Sequence, residues 1–325
     1  MRKARTLALA LPGAVAVALW GGYRHAVNEF QAHRPPPPRL PGHVRSITTY
    51  WGRLCYRVIE GPGRETPLVL IHGWGRSADA AWWPLMEHTK RTVIAVDLPG
   101  HGRSTLDERF SFELAADSVA LAVEDAGLHD PILVGHSMGG PISLLTLRAS
   151  PRKFSGLVAI ASSAYWVSPH LQVIVAAAPY LFAPRSPIVT AAMRQETRRS
   201  PGSRMEVTRS YGLRPSRRVL GEAAMELRGF DARMWEGFDT PPIVWAVTNN
   251  DGVINPADQV ASGHHFEARV VGLDADHSVI MTHPRELMAT IESLTRVPND
   301  RPRLEVVRSA APHSMRAHNP GAALD

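Results

Sequence analysis

The most informative stretch of this chain is Pro131-Ile-Leu-Val-Gly-His-Ser137-Met-Gly-Gly-Pro-Ile-Ser-Leu144. It begins with an apolar run that is typical of a buried strand, and it ends with residues that favour a helix. Between them stands the pattern G-x-S-x-G, in which Gly135 and Gly139 permit a turn too sharp for any side chain that carries a Cβ. Such a turn lifts the hydroxyl of Ser137 clear of the sheet, at the start of the following helix. This stretch therefore predicts a nucleophilic serine.

Apolar runs on both sides of this stretch predict a mostly parallel sheet with helices on both faces, an α/β architecture. Two further runs, Arg45–Tyr50 and Leu54–Glu60, predict a hairpin ahead of the sheet. About 75 residues between Tyr165 and Asp239 contain no strand, which is too long for a plain crossover. An inserted, largely helical cap is therefore expected at residues 164–240. The short apolar runs lie at residues 67–72, 92–97, 131–134, 156–161, 242–247 and 268–272.

Three motifs in a fixed order resemble the α/β-hydrolase fold superfamily, in its esterase-like branch. They are the serine turn, His72-Gly-Trp-Gly75 after the first long apolar run, and Asp97-Leu-Pro-Gly-His-Gly-Arg-Ser104 after the next. The resemblance covers about residues 45–163 and 241–297, and the expected core comprises residues 43–163 and 241–297. It is specific for fold and much less specific for substrate.

In this family the catalytic acid and histidine follow the serine in that order. Asp251 comes just beyond the late run 242–247 and is the expected acid, although Thr248 stands where the family usually has glycine. His277 follows the last predicted strand and is the expected base. The residues that compete with His277 are His264, His265 and His283.

The resemblance implies a Ser137–His277–Asp251 triad that hydrolyses carboxylic esters through an acyl-enzyme. The backbone N–H groups of Trp74 and Met138 are expected to form the oxyanion hole. No metal or organic cofactor is expected, and the substrate is expected to be a small ester with an apolar acyl group. Two alternatives stay open: the same triad used for haloperoxidase-type perhydrolysis or C–C bond hydrolysis, and a non-catalytic binding protein on a hydrolase scaffold.

Composition restricts the classes of partner. Hydrophobic residues make up 44% and charged residues 20% of the 325 residues, which is enough apolar material for a packed core. The net charge of +6 comes from the ends, because residues 43–297 contain 26 basic and 26 acidic residues. A nucleic-acid-binding surface would require that charge on the folded body, so nucleic acid is not expected as a partner. The lone Cys55 excludes a disulfide within the chain.

The ends of the chain are expected to serve export and spacing. Residues 1–23 place three basic residues before a nearly uncharged run, which is typical of an export signal. We expect an uncleaved signal anchor with the body outside the cytoplasm, and the alternative is a cleaved signal peptide and a secreted protein. Residues 24–42 include four consecutive prolines and predict an extended linker. Residues 298–325 show little apolar periodicity and are expected to form a disordered tail.

Overall fold

A computed structural model describes residues 39–63, 65–87, 89–166, 215–235, 240–294 and 305–307. Within these residues nine strands form one sheet in the order β1-β2-β4-β3-β5-β6-β7-β8-β9. The β1–β2 and β2–β4 pairs are antiparallel, and every later pair is parallel. The predicted hairpin and the predicted mostly parallel sheet are both confirmed. The strands are β1 His43–Thr49, β2 Gly52–Ile59, β3 Leu68–Ile71, β4 Val93–Asp97, β5 Ile132–His136, β6 Gly156–Ile160, β7 Ile243–Thr248, β8 Arg269–Leu273 and β9 Glu305–Val307.

Four of the described helices begin at a residue whose side chain caps them. Ser111 precedes α2 in an extended conformation, and its side chain accepts a hydrogen bond from the Leu114 N–H, as its position predicts. Ser77 caps α1 in the same way by accepting from the Ala80 N–H. The helices are α1 Ala78–Met86, α2 Phe112–Asp125, α3 Gly139–Ala149, α4 Arg217–Gly229, α5 Pro256–His265, α6 Val279–Thr282 and α7 Pro284–Leu294.

The central strands β3 to β7 are buried on both faces of the sheet, which explains their continuous apolar runs. Consecutive residues of β4 alternate between two core clusters: Ile94 and Val96 belong to one, and Val93 and Ala95 belong to the other. The first cluster includes apolar residues of α2, α3 and α4, and the second includes those of α1, α6 and α7. Because side chains of a strand point alternately to opposite faces, each strand stabilises both layers of helices.

The described part of the predicted cap contains α4, which packs directly on the core. Val219 and Leu227 of this helix are buried in the first core cluster. On the same helix, Glu222 and Glu226 accept hydrogen bonds from the N–H groups of Phe110 and Phe112 at 2.9 and 3.2 Å. These bonds satisfy N–H groups at the start of α2 that have no partner within that helix. Residues 167–214 and 236–239 of the predicted cap lie outside the described residues.

Two predictions concern the chain ends. A disordered tail over residues 298–325 is contradicted at Glu305–Val307, which pair with β8 in parallel as β9. The reason is that β8 offers a free sheet edge and that Val306 and Val307 favour a strand. The predicted signal anchor and most of the predicted linker lie outside the described residues. Within the described ranges, no helix combines the length and apolar character needed to cross a membrane.

Candidate active site

Ser137 occupies the strained turn between β5 and α3. Its φ of +54° lies in the left-handed region, which a residue with a side chain rarely adopts. A Cβ built on Gly135 would lie 2.3 Å from the carbonyl oxygen of Gly139, and one built on Gly139 would lie 2.3 Å from that of Ile71. Both glycines are therefore required by close backbone packing. The turn is fixed further because the Ser137 carbonyl accepts a 2.8 Å hydrogen bond from the hydroxyl of Ser162.

The structure brings together the serine, histidine and aspartate that the sequence singled out. Ser137 Oγ lies 3.1 Å from Nε2 of His277, and Nδ1 of the same ring lies 2.9 Å from Oδ2 of Asp251. Asp251 follows β7 and His277 follows β8, so all three side chains stand at the carboxyl ends of parallel strands. This arrangement has the geometry in which a histidine can take a proton from a serine while a carboxylate fixes its tautomer.

The Asp251 carboxylate is buried and accepts hydrogen bonds at both oxygens. Its Oδ1 accepts from the N–H groups of Val253 and Ile254 at 2.7 and 2.9 Å. Burial alone would raise the pKa of Asp251, but the hydrogen bond and charge of His277, with the bonds from Ile254 and Thr248, outweigh burial and lower this pKa below its usual value. Asp251 is therefore an anion at neutral pH, as an acid that stabilises imidazolium must be.

The side chain of His136, which directly precedes the serine, contacts the loop that carries His277. Its Nε2 lies 2.9 Å from the carbonyl oxygen of His277, and the two imidazole rings are 5.1 Å apart. A carbonyl can only accept, so Nε2 carries the proton. Burial, assisted by the positive charge that His277 can carry, lowers the pKa of His136 to about 3. The ring is therefore a neutral donor at any working pH.

The loop after β3 packs against the serine turn. A Cβ built on Gly73 would lie 3.2 Å from Cβ of Ser137, so the backbone of this loop passes directly beside the serine. Trp74 follows Gly73, and its indole Nε1 donates a 3.0 Å hydrogen bond to the Leu220 carbonyl of α4. Met138 stands at the start of α3, where N–H groups have no acceptor within the helix. Met138 follows Ser137 directly, and Trp74 follows the glycine that passes beside Ser137; their role as the oxyanion hole stays a prediction.

The other histidines considered from the sequence lie elsewhere. His264 and His265 belong to the last turn of α5, and His283 follows α6, where its Nδ1 contacts the Thr282 hydroxyl at 2.7 Å. The Asp97 carboxylate stabilises the turn that follows β4 and is not part of the triad. It accepts hydrogen bonds from the N–H groups of Ala78 and Arg103. Within the described ranges, no group of three or more His, Cys, Asp or Glu side chains is placed to hold a metal ion.

Sequence reasoning missed a buried amide beside the acid. Gln259 lies in the first turn of α5, is fully buried, and its Nε2 is 3.0 Å from Oδ2 of Asp251. The Thr248 hydroxyl donates to the same carboxylate oxygen at 2.7 Å. Thr248 was recognisable only as a departure from the family pattern. Nothing in the local sequence distinguishes Gln259 from an exposed polar helix residue.

Comparison with known proteins finds similar hydrolases. Residues 68–290 match the family model described as "Alpha/beta hydrolase family". The chain is 35% identical over 135 residues to the uncharacterized hydrolase YugF of Bacillus subtilis, covering 40% of this chain and 49% of that protein. It is 36% identical over 101 residues to a pimeloyl-[acyl-carrier protein] methyl ester esterase of Sodalis glossinidius, covering 30% and 37%. The chain thus spans half or less of the length of these curated relatives.

Among solved structures, a thermophilic esterase from Thermogutta terrifontis superimposes with a TM-score of 0.66. That match has 20% sequence identity and covers 78% of this chain and 98% of the esterase, so it demonstrates a shared fold. The matched family segment contains Ser137, Asp251 and His277 and covers more than half of the chain. This chain therefore belongs to the α/β-hydrolase family.

Proposed function

We propose that this hydrolase cleaves carboxylic esters through an acyl-enzyme formed on Ser137. The observation that carries the proposal is the continuous contact from Ser137 Oγ through the His277 ring to Asp251, with 3.1 and 2.9 Å between heavy atoms. A scaffold that only binds a ligand has no need of a serine, a histidine and a buried aspartate in this alignment. The two named esterases among the similar proteins support ester chemistry.

The reaction begins when Ser137 Oγ attacks the ester carbonyl carbon and His277 Nε2 takes the hydroxyl proton. The backbone N–H groups of Trp74 and Met138 hold the negative charge that develops on the carbonyl oxygen, and one such donor contributes about 3–4 kcal/mol where it has been tested. The carbon–oxygen ester bond then breaks, and His277 gives its proton to the departing alcohol. An acyl group remains on Ser137.

Water completes the cycle. His277 takes a proton from the water as its oxygen attacks the acyl carbon, and the bond to Ser137 Oγ breaks. The proton returns to Ser137, and a carboxylic acid leaves. Throughout, Asp251 stays ionised and stabilises the imidazolium, in agreement with its lowered pKa. The substrate that fits this scheme is a small ester, and we propose an apolar acyl group.

A fluorophosphonate probe tests the proposal, because only an activated serine reacts with it. We expect stoichiometric labelling that peptide mapping assigns to Ser137, and turnover of aryl esters of graded acyl length. Absence of labelling would support the binding-protein alternative and overturn the proposal. Labelling without ester turnover, together with perhydrolysis or C–C cleavage, would show that the triad performs the alternative chemistry.

A further inference from the structure

The acid of the triad shares one oxygen among three donors. Asp251 Oδ2 receives the Thr248 hydroxyl at 2.7 Å, Gln259 Nε2 at 3.0 Å and His277 Nδ1 at 2.9 Å. Its other oxygen already accepts two backbone N–H groups. His277 therefore shares this oxygen with two uncharged donors, Thr248 and Gln259. Their hydrogen bonds stabilise part of the negative charge of the carboxylate.

The orientation of the Gln259 amide follows from its neighbours. The Thr248 backbone N–H can only donate, and it lies 3.1 Å from Oε1 of Gln259. The Ile254 carbonyl can only accept, and it lies 3.0 Å from Nε2. These two contacts require the amide oxygen to face β7 and the amide nitrogen to face Asp251. The side chain is fully buried, so water does not compete for these bonds.

The Thr248 hydroxyl contacts both the carboxylate of Asp251 and the amide of Gln259. Its hydroxyl donates to Asp251, and the same oxygen lies 3.1 Å from Nε2 of Gln259, from which it can accept. The end of β7 and the first turn of α5 are thus joined by a buried hydrogen-bond network that ends on the Asp251 carboxylate. Removing one member leaves the remaining polar groups without their partners, which is costly in a buried site.

We infer that Gln259, together with the Thr248 hydroxyl, is a positioning residue that tunes the basicity of His277 through Asp251. The two donors spread the charge of the carboxylate and hold Oδ2 on the His277 side. Without them, more negative charge remains to stabilise the imidazolium, so His277 binds its proton more tightly. This inference rests on the proposed function, since it concerns the base of that reaction.

Two titratable groups bear on Asp251 from the elements packed against it. His277 lies on the loop after β8 and contacts the carboxylate directly, whereas His136 at the end of β5 acts at longer range. Because His136 is neutral above about pH 3, it does not titrate in the working range. Because Asp97, whose burial raises its pKa to about 6, also titrates near neutral pH, NMR titration of the His277 ring nitrogens is needed to assign the acidic limb of kcat/KM.

The first test is Gln259→Met, which keeps the length of the side chain and removes both polar atoms. We expect the acidic limb of kcat/KM to move upward by about half a pH unit or more, with activity recovering at high pH. NMR titration of the His277 ring nitrogens should show the same shift without any substrate. An unchanged limb with a uniform loss of kcat, or a downward shift, would mean that Gln259 only supports the fold and would overturn the inference.

Two further variants keep the test decisive if Gln259→Met folds poorly. Thr248→Val keeps the shape of the side chain and removes the second donor to the same oxygen, so it should shift the limb in the same direction. Gln259→Glu removes the amide donor and, once its carboxyl group is ionised, adds a negative charge beside Asp251, so it should move the acidic limb upward at least as far as Gln259→Met does. An unshifted limb for Gln259→Glu or for Thr248→Val would contradict the inference.

The matched control is Ser262→Ala, one turn along α5. Its hydroxyl makes buried hydrogen bonds to Ala164 and Ser163 and has no contact with Asp251, so it should cost stability and leave the acidic limb in place. A shifted limb in this control would show that any loosening of α5 is sufficient, and would also overturn the inference. A wild-type protein that neither labels nor turns over esters would instead refute the proposed function, whatever the NMR titration shows.

Discussion

Nε2 of His136 donates a 2.9 Å hydrogen bond to the carbonyl oxygen of His277, joining the residue before the candidate nucleophile to the loop of the candidate base. The two residues are separated by 141 positions in the chain. This hydrogen bond therefore connects the serine turn to the backbone of the loop that carries His277. This contact makes the His136 side chain a part of the site, beyond the role of its backbone in the serine turn.

Replacing His136 tests this contact. His136→Gln can present an amide N–H where Nε2 stands, whereas His136→Leu cannot. We expect about a tenfold or greater loss of kcat for His136→Leu, because small misplacements of a catalytic group are costly, and a much smaller loss for His136→Gln. Steady-state kinetics on an aryl ester, with circular dichroism to confirm folding, measures both. Equal losses in the two variants would show that the hydrogen bond does not matter.

Buried neutral histidines predict acid lability. Burial lowers the pKa of His136 to about 3, that of His101 to about 4, and that of His72 well below 6.5. The unfolded chain binds protons near pH 6.5 that the folded protein does not bind, so folding free energy present above that pH is lost as pH falls below it, by up to about 1.4 kcal/mol per pH unit for each histidine.

Asp97 acts in the opposite direction. Burial raises its pKa to about 6, so the folded protein binds this proton first and gains stability as pH falls from 6 towards 3.8. Because three histidines oppose one aspartate, stability should keep falling from about pH 6.5 towards pH 5, and Asp97 should offset only about a third of that loss below pH 6. Urea unfolding at a series of pH values measures it, and His136→Gln should reduce the slope. Stability that stays constant from pH 7.5 to 5.5 would contradict the prediction.

Ser137→Ala should abolish both fluorophosphonate labelling and ester hydrolysis, lowering kcat by roughly 10⁴-fold or more, because the acyl-enzyme cannot form. The fold should survive, since the hydroxyl points into the site and the backbone hydrogen bonds of the turn remain. Ser150→Ala, at the end of α3, is the matched control because its side chain makes no capping bond. A variant at position 137 that retained most of its activity would refute the nucleophile assignment.

Asp251→Asn should fold and lose most of its kcat, because an amide facing Nδ1 favours the wrong tautomer of His277. Asp276→Asn is the comparison, since the Asp276 side chain accepts from the N–H of Ser278 and lies beside the same histidine. We expect Asp276→Asn to stay within a few-fold of wild type. The opposite ranking of the two variants would identify Asp276 as the acid.

Gly135→Ala tests the geometry of the serine turn. The added Cβ would lie 2.3 Å from the Gly139 carbonyl oxygen and 2.5 Å from the Ser143 hydroxyl, so we expect about 1–3 kcal/mol of destabilisation and loss of labelling. Gly229→Ala is the control, because a Cβ there meets nothing within 4 Å. Thermal unfolding and labelling measure the difference. Wild-type behaviour of Gly135→Ala would mean that the turn tolerates a wider geometry.

The N-terminal segment carries a prediction of its own. A protein truncated to begin at Arg39 should fold and be as active as the full chain, since it keeps Leu40, which packs on the core, and Pro41, whose carbonyl accepts from Arg57 at 3.3 Å. If residues 1–23 are the proposed signal anchor, the full chain should sediment with membranes and resist extraction by high salt, because apolar burial rather than charge would hold it there.

Two results of that fractionation would contradict the anchor. Release by salt alone would identify the basic residues as the membrane contact. A mature protein in the medium that begins between residues 17 and 30 would show a cleaved signal peptide. Edman sequencing of the mature N-terminus distinguishes a cleaved signal from an intact anchor.

Local pattern was sufficient for the sheet and for the nucleophile. Apolar runs with the periodicity of buried strands predicted the hairpin and the parallel strands, and the glycine pattern around Ser137 predicted the strained turn, because these features depend on neighbouring residues. Asp251 and His277 were chosen because the family resemblance implies an acid and then a histidine after the serine, each beyond a late strand. The pairing of β9 escaped prediction, since a three-residue strand has almost no pattern.

Contacts between distant positions lay beyond local pattern. His136 contacts the His277 carbonyl although strands β6, β7 and β8 lie between them in the chain, and Gln259 contacts Asp251 from the helix that follows it. Neither side chain has a sequence signature. A polar residue in a helix looks the same in sequence whether it faces water or a carboxylate. Its role depends on which groups the packed core leaves within hydrogen-bond distance, and burial then makes each such bond matter, because no water can replace it.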